Sequence, residues 1–245
     1  MASEDPKGLH LRADQFVFRL SPGDTADVDL RASEFGRPTS GAQIGLAVAL
    51  QGKPDVRPVG TPVGLTAPPS AVTGADGRAR VTVTAHDPGT EGRQFIDGQV
   101  YTLMYGLIGS QDDESYSNDS DVVSALVWNP YQAPAAPTWW SDIYPIFKQY
   151  ADLYPFMRQI VDLGDYAAVV SFKDAIARVF RLPIDDPHYM PVTRDLSPAK
   201  PQMILAWLGS ATPAEGVKPP LLVGEMGTDN GKHVFFERML ASRKR

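Results

Sequence analysis

Thr73-Gly74-Ala75-Asp76-Gly77-Arg78-Ala79-Arg80-Val81-Thr82-Val83-Thr84 is the stretch whose reading decides the fold. Asp76-Gly77 is a tight-turn dipeptide, because glycine takes positive φ at no steric cost. Behind it Ala79, Val81 and Val83 alternate with Arg80, Thr82 and Thr84, a period of two that marks a half-buried strand. The same alternation recurs upstream. Ala26, Val28 and Leu30 are separated by Asp27 and Asp29, and Ile44, Leu46, Val48 and Leu50 by Gly45, Ala47 and Ala49. Gln15–Leu20 also reads as a strand. Ser21-Pro22-Gly23-Asp24, Gly36-Arg37-Pro38 and Asp87-Pro88-Gly89 supply turns between these runs. Gln99–Ile108 and Val122–Trp128 flank an acidic loop and predict a long hairpin. About seven short strands punctuated by turns predict a two-sheet β-sandwich over residues 1–129.

The bulk figures fit a two-domain, multidomain β plus α chain. At 245 residues, 43% apolar and 21% charged, the sequence is ordinary for a soluble globular protein. Gln43–Leu50 and Tyr101–Ile108 are the longest apolar runs, far short of the roughly 18 residues a membrane span needs. The acidic start, Met1-Ala2-Ser3-Glu4-Asp5-Pro6, lacks the apolar core of a secretory signal. There is no cysteine, which excludes disulfides, thiolate metal sites and a cysteine nucleophile. A cytoplasmic location is the expectation. Residues 1–137 hold 17 acidic and 10 basic residues, residues 138–245 hold 12 and 13. The acidic first half would repel phosphate backbones, so no nucleic-acid partner is expected, and the short apolar runs lead to the expectation of no membrane partner.

Asn129–Thr138 contains Pro130, Pro134 and Pro137 and reads as a stiff Pro/Ala linker over 130–138. The periodicity then becomes helical. Ser141-Asp142 is the predicted cap for a helix carrying Ile143, Phe147, Tyr150 and Tyr154, broken at Pro155. Ser171–Phe180 places Phe172, Ile176, Val179 and Phe180 on one face. Ser197 with Pro198 opens a last helix carrying Met203, Ile204, Trp207 and Leu208. This helical domain spans 139–212, and a hydrophobic, basic tail spans 213–245. Val234, Phe235, Phe236, Met239 and Leu240 make the tail a candidate partner-binding segment, which packs either on its own chain or on another subunit.

Two family resemblances follow from these motifs. Gly36-Arg37-Pro38-x-x-Gly41 leading into a strand, together with the 73–84 stretch, resembles the bacterial Ig-like domains of invasins over roughly residues 10–128. That likeness implies a spacer or docking surface and no chemistry. Over about 70 residues the helical segment resembles cytochrome c without its haem motif. It has Ile143-Tyr144-Pro145-Ile146-Phe147, then Tyr189-Met190-Pro191, then Leu196-Ser197-Pro198 and Trp207-Leu208. The resemblance also extends to haemless helical segments of bacterial multidomain proteins, through Asp162-Leu163-Gly164-Asp165-Tyr166. By this likeness Tyr150 and Leu153 replace the haem cysteines, Tyr154 the histidine, and Met190 stands at the axial methionine. Covalent haem is thereby excluded. Tyr150, Tyr154, Phe156, Phe172, Phe180 and Trp207 are expected to fill the cofactor's volume.

Other constellations carry little chemistry. Asp185-Asp186-Pro187-His188 is the one carboxylate–imidazole grouping, and as a metal site it needs a further ligand. Its other reading is a polar loop in which Arg194 pairs with Asp185, Asp186 or Asp195. Asp112, Asp113, Glu114, Asp119 and Asp121 crowd one hairpin loop without EF-hand spacing. Nucleophile elbows, phosphate loops and dinucleotide motifs are all missing. The sequence therefore predicts a noncatalytic accessory or structural subunit that carries no cofactor and docks on a protein partner or a second copy, the larger partner being an enzyme complex such as an oxidoreductase. The alternatives are a redox protein holding noncovalent haem between Tyr154 and Met190, and a metal-dependent enzyme using Asp185, Asp186 and His188.

Overall fold

The computed structural model describes residues 8–50, 64–89, 97–108 and 122–219. The chain forms two compact units. The first comprises Met1–Pro134 and Arg178–Leu205, the second Ala135–Ala177 and Ala206–Arg245.

The first unit is built on two five-stranded sheets. One joins β1 (Leu9–Ala13), β3 (Thr25–Glu34), β8 (Arg78–Ala85) and β6 (Leu65–Thr66) in that order, with β4 (Arg37–Pro38) also on β3. The other runs β2 (Val17–Leu20), β10 (Val122–Trp128), β9 (Gly98–Leu107), β5 (Gln43–Leu50), β7 (Ser70–Val72). All pairs are antiparallel except β2 with β10, which is parallel. Labelled in the immunoglobulin manner, the first sheet carries A-B-E-D and the second G-F-C, so the domain is Ig-like. Antiparallel pairing of Gly98–Met104 with Val122–Trp128 joins the two strands of the predicted long hairpin.

Alternation in the sequence becomes register. Ala79 lies opposite Leu30 and Val81 opposite Val28, while Arg80 lies opposite Asp29. The apolar rows are buried and join Ile44, Leu46, Leu103, Val123 and Val127 of the second sheet in one hydrophobic cluster. The outward row is an ion-pair lattice: Arg80 Nε lies 2.8 Å from Asp29 Oδ1, and Arg31 Nε 2.9 Å from Asp14 Oδ1. The Arg80 guanidinium holds the Asp29 carboxyl below the usual carboxylate range, and an exposed pair of this kind adds little stability. Gly77 sits at φ +73, and a Cβ there would meet the Ala32 carbonyl oxygen at 2.6 Å. The turn therefore requires glycine at this position.

Two tyrosines of β9 tie the second sheet to the first. Tyr105 Oη accepts from the Ala13 N–H at 3.1 Å, and Tyr101 Oη from the Gly64 N–H at 3.0 Å, both buried. A Tyr105→Phe variant keeps the ring but leaves a buried donor without this acceptor, so it should lose about 1–3 kcal/mol in urea unfolding. An unchanged midpoint would show that the tie contributes nothing.

Residues Arg178–Leu205 group with the sheets. The reason lies at the second sheet's end, where Trp128 Nε1 donates to the Asp195 carbonyl (3.1 Å) and Arg19 Nε to the Arg194 carbonyl (3.2 Å). Helix α4 spans Ala199–Leu208. Its start is not capped by the Ser197 hydroxyl, as the sequence predicts, since that buried oxygen has no hydrogen-bond partner. Instead the Asp97 carboxylate accepts the Ser197 N–H and, at 2.7 Å, the Lys200 ammonium. Lys200 also stands 5.0 Å from the centre of the Tyr131 ring. A carboxylate beside a helix N-terminus is favoured by the helix dipole. Side chains in this pair are only 10% and 19% exposed, so removing one partner strands the other charge. Asp97→Ala should cost about 2–3 kcal/mol in equilibrium unfolding, and Asp97→Asn, which keeps an acceptor for Ser197, clearly less.

Candidate functional site

The second unit is organised by Trp139, which is fully buried. The chain enters through a π-helical turn, Trp139–Ile143, that runs into α1 (Tyr144–Leu153) with Pro145 in its first turn. The start lies earlier than Ser141-Asp142. Asp142 is the capping group, but it reaches back to accept the Thr138 N–H at 2.7 Å. Around Trp139 stand Trp140, Tyr144, Phe147, Tyr166 and Trp207, with ring centres 5.7–6.3 Å away. Trp207 is stacked on it at 25°, and the others meet it at steep angles, the arrangements aromatic quadrupoles favour.

A second segment closes the cluster. The Ala214 carbonyl accepts both the Trp139 N–H (2.8 Å) and Trp207 Nε1–H (2.9 Å), and Tyr166 Oη donates to the Pro213 carbonyl (2.6 Å). Lys218 lies 4.8 Å over the Trp140 ring. Gly216, at φ +73, touches Thr138 so closely that a Cβ would meet it at 2.8 Å. Trp139→Ala should remove about 3–5 kcal/mol and abolish the aromatic near-ultraviolet dichroism of this unit, a change read by circular dichroism during thermal unfolding.

This interior corrects the expected one. Tyr150 and Trp207 are buried as foreseen, but Tyr154, Phe156 and Phe172 are 38%, 65% and 43% exposed. Trp139, Phe147 and Tyr166 supply the bulk instead. Phe172 falls outside because the chain breaks there, between α2 (Tyr166–Ser171, capped by Asp165 Oδ1 on the Ala168 N–H) and α3 (Lys173–Phe180). The two positions that the cytochrome likeness assigns to covalent attachment do not face one cofactor. Tyr150 is buried and Leu153 is 57% exposed. Tyr154 belongs to the second unit and Met190 to the first. The cytochrome-c-like reading of the helical segment thus has no support in the structure.

In the polar loop, His188 Nδ1 lies 3.3 Å from Asp186 Oδ1, which also accepts the His188 N–H at 2.8 Å. The imidazole is 86% exposed, and Asp185 is exposed as well. No three His, Cys, Asp or Glu side chains are grouped for a metal among the described residues. The expected carboxylate partner of Arg194 is replaced by main-chain oxygens: its guanidinium donates to the carbonyls of Ile184 (2.6 Å), Val192 (2.7 Å) and Asp186 (2.8 Å). Arg194 is therefore a loop staple. Beside it, burial pushes the Tyr189 phenol above its ordinary pKa, which keeps it neutral.

What the second unit does expose is apolar. Leu153 (57%), Tyr154 (38%), Phe156 (65%) and Ile160 (56%) fall within eight consecutive residues. Tyr154 N–H closes α1 on the Tyr150 carbonyl, and Pro155 ends the helix there. A 3₁₀ turn over Pro155–Gln159 follows and carries Phe156 outward. Four large apolar side chains exposed within one short stretch are a candidate interaction surface. Sequence reasoning assigned Tyr154 and Phe156 to the interior. The sequence reading breaks the helix at Pro155 but assigns both rings to the cofactor's volume by the cytochrome likeness, and that likeness is what misplaces them. Val234, Phe235, Phe236, Met239 and Leu240, and the five acids of the hairpin loop, lie outside the described residues.

No family profile and no curated protein sequence matches the chain. Among solved structures, a two-domain protein of unknown function from Bacteroides fragilis aligns with a TM-score of 0.36 at 12% identity, over 51% of this chain and 47% of that one. The D0-D1 domain of intimin aligns at 0.29 and 12%, over 51% and 49%. The Yersinia pseudotuberculosis adhesin InvE aligns at 0.28 and 15%, over 52% and 27%. The chain thus matches half or less of each of these structures. Scores this low carry no argument, so the Ig-like assignment rests on the strand order itself. Among the described residues no helix is long and apolar enough to cross a membrane.

Proposed function

We propose that the chain is a noncatalytic accessory subunit that docks on a larger enzyme complex through the exposed run Leu153, Tyr154, Phe156 and Ile160. In this reading the Ig-like unit is a β-sandwich that serves as a carrier, and its outward ion-pair lattice keeps the first sheet solvated. Support comes from the contrast inside the helical unit. Its core is packed around the fully buried Trp139, and the exposed run lies outside that core. Leaving such side chains in water forgoes about 1.5–3 kcal/mol each relative to full burial. Tyrosine is among the residue types enriched at the energetic centres of interfaces. The reading keeps the chain in the cytoplasm, in line with its cysteine-free sequence.

The test is affinity capture of the full chain at native expression, with partners identified by mass. The triple variant Leu153→Ser, Phe156→Ser, Ile160→Ser should retain the near-ultraviolet dichroism and unfolding midpoint of the parent, since all three side chains are exposed, and should lose the partner. A folded triple variant that captures the same partner at the same yield would overturn the proposal.

A further inference from the structure

The chain contains Asp-Pro bonds at 5–6, 87–88 and 186–187. Proline has no N–H, so its nitrogen cannot attack the preceding side-chain carboxyl, and the local reaction left is attack of that carboxyl on the peptide carbonyl. We infer that Asp186-Pro187 is a self-cleavage site. The Asp186 carboxylate is its nucleophile, and Arg194 with the Tyr189 main chain stabilises the reacting carbonyl oxygen.

The surroundings of this bond single it out. The Asp186 carbonyl oxygen accepts from Arg194 Nη2–H at 2.8 Å and from the Tyr189 N–H at 3.0 Å. Two converging donors, one of them a cation, are what an oxyanion at that position requires. The guanidinium is itself fixed, since it also donates to the Ile184 and Val192 carbonyls at 2.6 and 2.7 Å. Asp186 Oδ1 accepts the His188 N–H at 2.8 Å and lies 3.3 Å from the ring Nδ1. One carboxylate oxygen is thereby held, and among the described residues nothing is bonded to the other, Oδ2. The Asp186 side chain is 31% exposed, so water reaches the site. Asp87-Pro88 lacks this arrangement. Its carboxylate likewise accepts an N–H two residues on, from Gly89 at 2.8 Å, but among the described residues no donor reaches the Asp87 carbonyl.

The reaction balances with water as its one co-reactant. Oδ2 bonds to the Asp186 carbonyl carbon and closes a ring, and the carbonyl oxygen takes the negative charge between Arg194 and the Tyr189 N–H. Collapse breaks the C–N bond to Pro187, whose nitrogen takes a proton from solvent. Water then opens the cyclic anhydride left on Asp186, restoring the side-chain carboxyl and forming a new C-terminal one. The pieces 1–186 and 187–245 are still tied by Asp97 to Ser197 and Lys200, and by Trp128 to the Asp195 carbonyl. The nick is therefore read after denaturation.

The test holds the full-length protein in mildly acidic buffer and follows its intact mass over days under denaturing conditions. Removing a single donor from an oxyanion site costs ~10²-fold or more, so fragments 1–186 and 187–245 should form at least ~10-fold faster from the folded protein than from the same protein in urea. In the folded protein they should also outpace cleavage at 87–88. Equal rates with and without urea, or equal rates at the two bonds, would overturn the inference. Asp186→Ala should abolish cleavage after position 186, and its persistence would assign the cut to a protease. Arg194→Ala with the parent's near-ultraviolet dichroism should cleave about as slowly as the urea-unfolded parent, and an undiminished rate would remove the oxyanion site. If Arg194→Ala does not fold, the comparison of folded and urea-unfolded parent decides by itself.

Discussion

Trp139 is the residue on which the helical unit depends. It has no exposed surface, and five aromatic rings stand within 6.3 Å of its own. Three of them come from the first turns that follow it, one from α2 and one from the end of α4. The Ala214 carbonyl fastens both stacked tryptophans, so the segment after α4 is bound to the same centre. A core assembled from segments so far apart in sequence is close-packed only when all are present. The Trp139 indole N–H has no hydrogen-bond partner, and contact with neighbouring aromatic faces is the compensation open to it. Leu153, Tyr154, Phe156 and Ile160 lie outside this core and are exposed.

The first unit separates its two outward surfaces by charge. On the first sheet Asp27, Asp29, Arg31, Arg78 and Arg80 form a lattice of opposite signs. On the second sheet the outward positions of β9 and β10 include Thr102, Met104, Val122, Ser124 and Leu126, none of them charged. A sheet whose outer face carries several apolar side chains and no charge asks for cover. Part of that cover is residues 194–200, fixed by Trp128, Arg19 and the Asp97–Lys200 pair. The pair is placed where two charges can be held by each other, a main-chain N–H and an aromatic face together. That combination offsets the desolvation that makes half-buried charges expensive.

The strands were legible because a period of two leaves a direct trace. Ala79-Arg80-Val81-Thr82-Val83 needs no tertiary information to be read, and the Asp76-Gly77 turn carries its φ requirement openly. Leu9–Ala13 has the same alternation but a weak trace, because charged and polar residues outnumber the apolar ones nearby. The helical region was less legible. Its aromatic residues are numerous enough to fill two alternative interiors, and periodicity cannot say which ring turns inward. Pro155 decides for Tyr154 and Phe156, and the break at Phe172 decides for that ring. Asp97 as the cap of α4 leaves no local mark at all, because donor and acceptor are 100 residues apart.

The surface run stands in the very place that the cytochrome likeness assigns to cofactor attachment. Positions 150, 153 and 154 would have to converge on one porphyrin. Instead position 150 turns into a core of stacked indoles, while 153 and 154 turn out to solvent with Phe156. The same local sequence therefore divides into an inward half that completes the fold and an outward half free to meet something else. A cofactor-holding stretch must present its groups to one concave space, and a docking stretch must present them to a convex surface. The exposures of Leu153, Phe156 and Ile160, all above one half, do not fit the first kind. The same geometry explains why removing these three side chains should spare the unit's stability while removing Trp139 should not: only the indole has neighbours on every side.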